Sequence, residues 1–175
     1  PLGFELDTLT LDAVDMDSRD VRFLPVGDDG GEGVSAQYAY DSLALRVQRP
    51  DTKQEEELVR IRYRCRPQKG LYFIRPDASF PQDPRQIWTQ GQGEDNRHWF
   101  PCFDYPSDKA TSELRATVDT ALLLRSNGRL VSRVENRDGT ATWHWSLRRP
   151  HSSYLIMLAA GDYRRYRQVA RFAAG

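Results

Sequence analysis

The sequence has little of what usually announces a function. Its 175 residues include two Cys, two Met and three His. Two cysteines, Cys65 and Cys102, allow at most one bridge, which excludes a disulfide framework. Cys65 falls in a strand-like run and Cys102 in a proline-flanked one, so two free thiols in a reducing compartment is the expectation. Charge of one sign is not in excess either: 25 Lys and Arg balance 25 Asp and Glu. No overall field therefore draws nucleic acid or anionic lipid. No apolar run approaches the ~20 residues of a membrane span, and no basic leader precedes an apolar segment. These absences predict a cytoplasmic chain, with export left open as the alternative, and neither a membrane nor a nucleic-acid partner. The opening Pro1-Leu2-Gly3 reads as a cleavage remnant. Missing too are H-E-x-x-H, G-x-S-x-G, a phosphate-cradling Gly loop and a deaminase-type Cys pair. No amphipathic helix of twelve or more residues and no solenoid-period repeat is found.

What is present is alternation. Hydrophobic residues make up 39% and aromatics 11%, with mean hydropathy −0.69, a globular balance. Period-two patterns, the mark of half-buried strands, run through 4–14, 38–47, 57–65, 70–74, 86–89 and 113–124. In 57–65, Leu58, Arg60, Arg62 and Arg64 oppose Val59, Ile61, Tyr63 and Cys65, giving one basic face and one apolar face. Residues 130–147 read as a hairpin turning at Asp138-Gly139, with Trp143, Trp145 and Leu147 on one face. An apolar strand, a Gly161-Asp162 break and a more polar strand follow in 153–169. Gly and Asp clusters at 27–33 and 49–57 mark loops. The predicted fold is all-β: a single domain of about ten mostly antiparallel strands, as two packed sheets spanning residues 1–175.

One segment, 89-TQGQGEDNRHWFPCFDYPSDKAT-111, concentrates chemically able residues. Cys102 with His98 suggests a nucleophile and base, but the neighbouring Phe100, Pro101 and Phe103 predict an apolar setting that raises a thiol pKa and leaves it inert. Glu94 and Asp95 are adjacent and would point to opposite faces of a strand, so paired acid–base work is not expected of them. No second His or Cys stands at metal-ligand spacing beside His98. His144 reads as a cross-strand residue and His151 as structural. The row Arg60, Arg62, Arg64 and Arg66 reads as a salt-bridged sheet face, compensated from Glu55–Glu57. No catalytic residue and no metal ligand is predicted in this chain.

The same segment carries a family resemblance. Thr89-Gln90-Gly91-Gln92, then Arg97 through Pro106 (RHWFPCFDYP), then Lys109-Ala110, resembles the N-terminal domain of aminopeptidase N-type zinc metallopeptidases, the gluzincin aminopeptidases. The usual pattern there is T-Q-x-E/Q followed by R-x-x-F-P-C-x-D-x-P-x-x-K-A. The runs 58–65 with 70–73, and 153–163, fit in order, and the long form of the motif is closer to a bacterial branch. The resemblance implies a saddle-like β-sandwich that precedes a thermolysin-like catalytic domain, with zinc, its ligands and the general base all in that other domain. It implies partners as well: the catalytic domain itself and, as substrate, peptide N-termini. It further implies that Gln92, with Gln90 two residues before it, lies at the edge of the cleft. Gly91 between them would allow close backbone approach. Gln stands where many relatives have Glu, and an amide hydrogen-bonds an α-ammonium without ion-pairing it. Whether Glu94 supplies that charge is open at this point. Arg97, Phe100, Pro101, Cys102, Asp104, Pro106 and Lys109 are expected to be structural: Arg97 with Asp104 fixing the loop, Phe100, Pro101 and Phe103 as an apolar plug, Lys109 at a domain interface. Two other readings compete. One is a non-catalytic scaffold on the same fold, as in a transcription-initiation factor subunit that resembles these peptidases. The other is an independent ligand-binding sandwich.

Overall fold

The computed structural model describes residues 8–27, 30–50, 56–166 and 168–169, without the side chains of Ser18 and Arg19. The first half of the chain alternates apolar and polar residues over β1 (Thr8–Asp12), β2 (Met16–Leu24), β3 (Val34–Ser35), β4 (Tyr38–Tyr40), β5 (Ala44–Gln48) and β6 (Leu58–Cys65). They form two antiparallel three-stranded sheets, in the orders β1-β5-β4 and β3-β2-β6. One apolar cluster fills the space between them: Ala13, Met16, Val21, Leu45 and Val47, with Val59, Ile61, Tyr63 and Cys65 packed on it. The alternation in β6 thus sends its apolar face inward, as its sequence predicts.

The second half repeats the plan with β7 (Leu71–Ile74), β8 (Gln86–Thr89), β9 (Lys109–Asp119), β10 (Leu123–Ser126), β11 (Arg129–Glu135), β12 (Thr140–Ser152) and β13 (Leu158–Gly161). The orders are β10-β13-β8-β7 and β11-β12-β9. Between these sheets lie Leu122, Leu124, Ala141, Trp143, Trp145, Leu158 and Ala160, flanked by Leu71, Ile87, Leu114, Ala116 and Val118. The β11–β12 hairpin turns at Asp138-Gly139, where Gly139 takes φ +81° and the Asp138 carboxylate accepts from the Thr140 N–H.

The chain is all-β and antiparallel, as expected, but its thirteen described strands are hydrogen-bonded as four sheets around two cores. Three boundaries differ from the sequence reading. The run 38–47 is a hairpin: Ser42 takes φ +71° and Asp41 Oδ1 accepts from the N–H groups of Leu43 and Ala44. The run 113–124 breaks at Asp119, whose carboxylate accepts from the Ala121 N–H. After Gly161 the described residues form no further strand. Residues 1–7, 51–55 and 170–175, on which parts of the sequence reading fall, lie outside the described residues. No described helix is long and apolar enough to cross a membrane.

Candidate functional site

The segment linking β8 to β9 occupies the seam between the two sandwiches. Alternation continues past Thr89, leaving Gln90 and Gln92 exposed and Gly91 buried. The Gln90 N–H donates to Gly70 O at 3.0 Å, and neither glutamine side chain makes a hydrogen bond within the described residues. A turn follows in which Gly93 and Glu94 take φ +86° and +75°, closed by the Asp95 N–H to Gly91 O at 3.2 Å. Gly91 serves the interior: a Cβ there would sit 2.5 Å from Asn96 Oδ1. Asn96, fully buried, opens a single 3-10 turn (Asn96–His98). Its Nδ2 donates to Ser153 O at 2.6 Å and Ile156 O at 3.3 Å, and its Oδ1 accepts from Trp99 Nε1 at 2.8 Å.

Arg97 gathers three carboxylates. Its guanidinium lies 2.7 Å from Glu94 Oε2 and 3.3 Å from Asp12 Oδ1, and its Nε makes a 3.5 Å ion-pair contact with Asp104 Oδ2 that lacks hydrogen-bond geometry. The Arg97 backbone N–H donates to the same Asp104 oxygen at 3.1 Å. Asp104 is 1% exposed, and its other oxygen accepts from Ser153 Oγ at 2.8 Å. Burying a carboxylate is costly unless it is both paired and hydrogen-bonded, and Asp104 is both. On the other side, Asp12 Oδ2 accepts from the Asp104 N–H, and Asp12 exchanges two backbone bonds with Cys102 at 2.8 and 3.0 Å. Tyr63 Oη donates to Trp99 O at 2.8 Å, and Ser152 Oγ to Pro106 O at 2.7 Å. The segment is thereby fastened to β1 and β6 of one sandwich and to the end of β12 of the other.

This geometry answers the question left at Glu94: its exposed carboxylate is engaged by Arg97. The expected apolar plug is corrected. Phe100, Pro101 and Phe103 are only half-buried, Phe100 edge-on to Trp99 and Phe103 tilted against Tyr105. The buried residues here are Asn96, Cys102 and Asp104. Pro106 and Lys109 are exposed, with Lys109 opening β9 opposite Ser152. Cys65 and Cys102 are free thiols. Burial, followed by the nearby Asp104 and Asp12 charges, pushes the Cys102 thiol far above its ordinary range, and burial raises Cys65 as well.

The remaining polar candidates have partners within the fold. His144 Nε2 meets Glu113 Oε2 at 3.1 Å and holds that carboxyl below its usual range; His151 Nε2 meets Ser112 Oγ at 3.3 Å. Arg60 donates to the carbonyls of Gly31 and Glu32, while β2 sets Asp20 opposite Arg62 and Asp17 opposite Arg64. Compensation of the arginine row by Glu57 is corrected: Glu57 pairs with Arg49 at 3.0 Å. Zinc does not fit the residues present: among the described residues no group of three or more His, Cys, Asp or Glu could hold a metal ion. The carboxylates of Asp12, Glu94 and Asp104 already surround the cation of Arg97. Asn96, Asp12 and Ser153, which hold the seam, were not singled out from sequence. Asn96 lies inside the motif, but its partners are 57 and 60 residues away.

The chain matches the family model described as the peptidase M1 N-terminal domain over residues 4–155. It is 35% identical over 100 residues to transcription initiation factor TFIID subunit 2 of Gallus gallus, covering 55% of this chain and 9% of that protein. It is 29% identical over 124 residues to aminopeptidase B of Rattus norvegicus, covering 69% of this chain and 18% of that protein. The fold is shared with the crystal structure of an M1 zinc metallopeptidase from Deinococcus radiodurans, with TM-score 0.71 and 21% identity over 89% of this chain and 34% of that one. The chain therefore spans less than a fifth of these two curated relatives.

Proposed function

The chain belongs to the peptidase M1 N-terminal domain family, and on that footing we propose that it is the non-catalytic, cleft-capping domain of a zinc-dependent aminopeptidase. The peptidase domain carries the zinc and its ligands. This domain presents Gln90 and Gln92 to the free N-terminus and first side chain of a peptide. The observation that supports this is the division of labour in residues 89–104. Glu94, Arg97 and Asp104 are turned to internal partners, while the two glutamine amides, beside a turn packed on Asn96, make no hydrogen bond within the described residues. An amide pair held this way orients an ammonium and its neighbouring carbonyl without neutralising the charge. The balancing carboxylate then comes from the peptidase domain.

In the protein that joins this domain to its peptidase domain, Gln92→Ala is expected to raise KM for aminoacyl-anilides roughly tenfold, the loss of one hydrogen bond to a charged group. Unchanged KM and unchanged residue preference across several substrates would remove the lip reading. The match to a TFIID subunit favours a second reading, a scaffold on the same fold within a larger assembly. An intact H-E-x-x-H in the adjoining domain decides for the peptidase; a degenerate one decides for the scaffold.

A further inference from the structure

The aromatics of the linking segment stay half-buried because they border a cavity. Trp99 and Phe100 of that segment, Tyr63 of β6, Leu114 of β9, Trp145 of β12 and Ile156 wall a space of about 250 Å³. Both sandwiches contribute to it. Trp99 and Phe100 hold each other edge-on, with ring centroids 4.6 Å apart, which steadies that side of the wall. The space exceeds the ~150 Å³ of an apolar cavity that takes up benzene.

One polar group on this wall is unspent. Trp145 is 7% exposed, and its Nε1–H is buried without a hydrogen-bond partner among the described residues. An indole N–H can only donate, so an acceptor is what completes it. The other donors of the wall are engaged. Tyr63 Oη donates to Trp99 O and Trp99 Nε1 to Asn96 Oδ1. Ser126 Oγ donates to Met157 O, Asn127 Nδ2 to Leu155 O, and Ser112 Oγ meets His151 Nε2. Glu113, the charged residue of the wall, is engaged by His144 Nε2 at 3.1 Å, and Arg125 already lies over the Trp145 ring at 5.6 Å. Trp143 Nε1 also lacks a partner among the described residues, but Trp143 lies off this wall.

We propose that this cavity binds a small, uncharged aromatic molecule bearing a carbonyl or amide oxygen. Its ring lies among Tyr63, Trp99 and Phe100, and its oxygen accepts from Trp145 Nε1–H. A ring without an acceptor leaves a buried donor unmet, which is costly. A charged ligand would be desolvated against a wall whose one carboxylate is already engaged. The site is separate from Gln90 and Gln92 and does not depend on their reading.

Benzamide and toluene are the probes, added to the full-length protein with isotope-labelled tryptophan. The indole N–H resonances are assigned by single Trp→Phe changes. Benzamide is expected to move those of Trp145 and Trp99 saturably, with Kd on the order of 1 mM for a ligand of its size. Trp88, which lies off the wall, should not move. Toluene, which has no acceptor, should bind roughly fivefold more weakly. In Trp145→Phe, followed at Trp99, benzamide should weaken by the same factor and toluene should be unaffected. Ile156→Phe, which fills the cavity and spares the Trp145 N–H, should abolish binding of both. No saturable shift at Trp145 or Trp99 by ~10 mM benzamide overturns the inference. So does equal affinity for the two probes, or benzamide binding that survives Trp145→Phe unweakened. If Trp145→Phe does not fold, the benzamide-to-toluene ratio read at Trp99 decides alone.

Discussion

Residues 89–95 and 96–106 are two halves of one loop with opposite characters. The second half is consumed by the fold: Asn96, Arg97 and Asp104 meet partners on β1 and just beyond β12, and the half-buried rings of Trp99 and Phe100 pack on each other. The first half is held by its backbone, by Thr89 Oγ1 accepting from the Leu158 N–H and by Glu94 on Arg97, and leaves its glutamine amides free. The contrast shows that richness in reactive residue types does not locate a site. In this loop Glu94, Arg97, Cys102 and Asp104 are occupied or buried, and the neutral glutamines are exposed.

The contrast can be broken from its buried side. Asp104→Ala removes the acceptor of Ser153 Oγ and of the Arg97 N–H and one of three carboxylates around Arg97. It is expected to cost about 3 kcal/mol in urea unfolding, the scale of breaking a buried paired charge. A loss within error would mean that the seam is not what holds the loop. Next comes Gly91→Ala. The added Cβ meets the pinned Asn96 side chain at 2.5–2.7 Å, and overpacking against a group that cannot move costs ~2 kcal/mol. Full stability there would show that Asn96 can yield. The smallest effect belongs to the exposed side. Gln90→Ala and Gln92→Ala should each stay within ~0.5 kcal/mol of the parent in the same assay, as exposed sites without partners do. A larger loss would place the glutamines with the scaffold.

How much of this could be read from sequence follows from which interactions are local. β6 is legible because its alternation is unbroken, and the β11–β12 hairpin because Trp143 and Trp145 alternate with Thr142 and His144 and Asp138-Gly139 provides a left-handed turn. β2 is hidden because a bulge between Ser18 and Asp20 shifts its parity: Met16 is in the core on one side of it, Val21 and Phe23 on the other. The turns at Asp41 and Asp119 are missed because an Asp side chain, without Gly, bends the chain there. In the site, the exposed glutamines could be singled out through a family resemblance. The seam could not, because Asn96 and Asp104 gain their meaning from Ser153, about fifty residues away. The polar pair buried inside an aromatic motif is a tertiary fact.

The two cores have a kinetic consequence. Each draws on one contiguous stretch, residues 9–65 for the first and 71–160 for the second. During synthesis the first sandwich can close before the second has been made, and neither needs a strand from the other. The seam bond from Asp104 to Asp12 spans the two stretches, so its loop carries closure entropy that nothing offsets until both cores exist. Contacts of that kind form late. In the Asp104→Ala variant the lost stability is therefore expected in the unfolding limb of a chevron, as a faster escape from the native state. The loop that bears the exposed glutamines is thus expected also to set how long the folded domain persists.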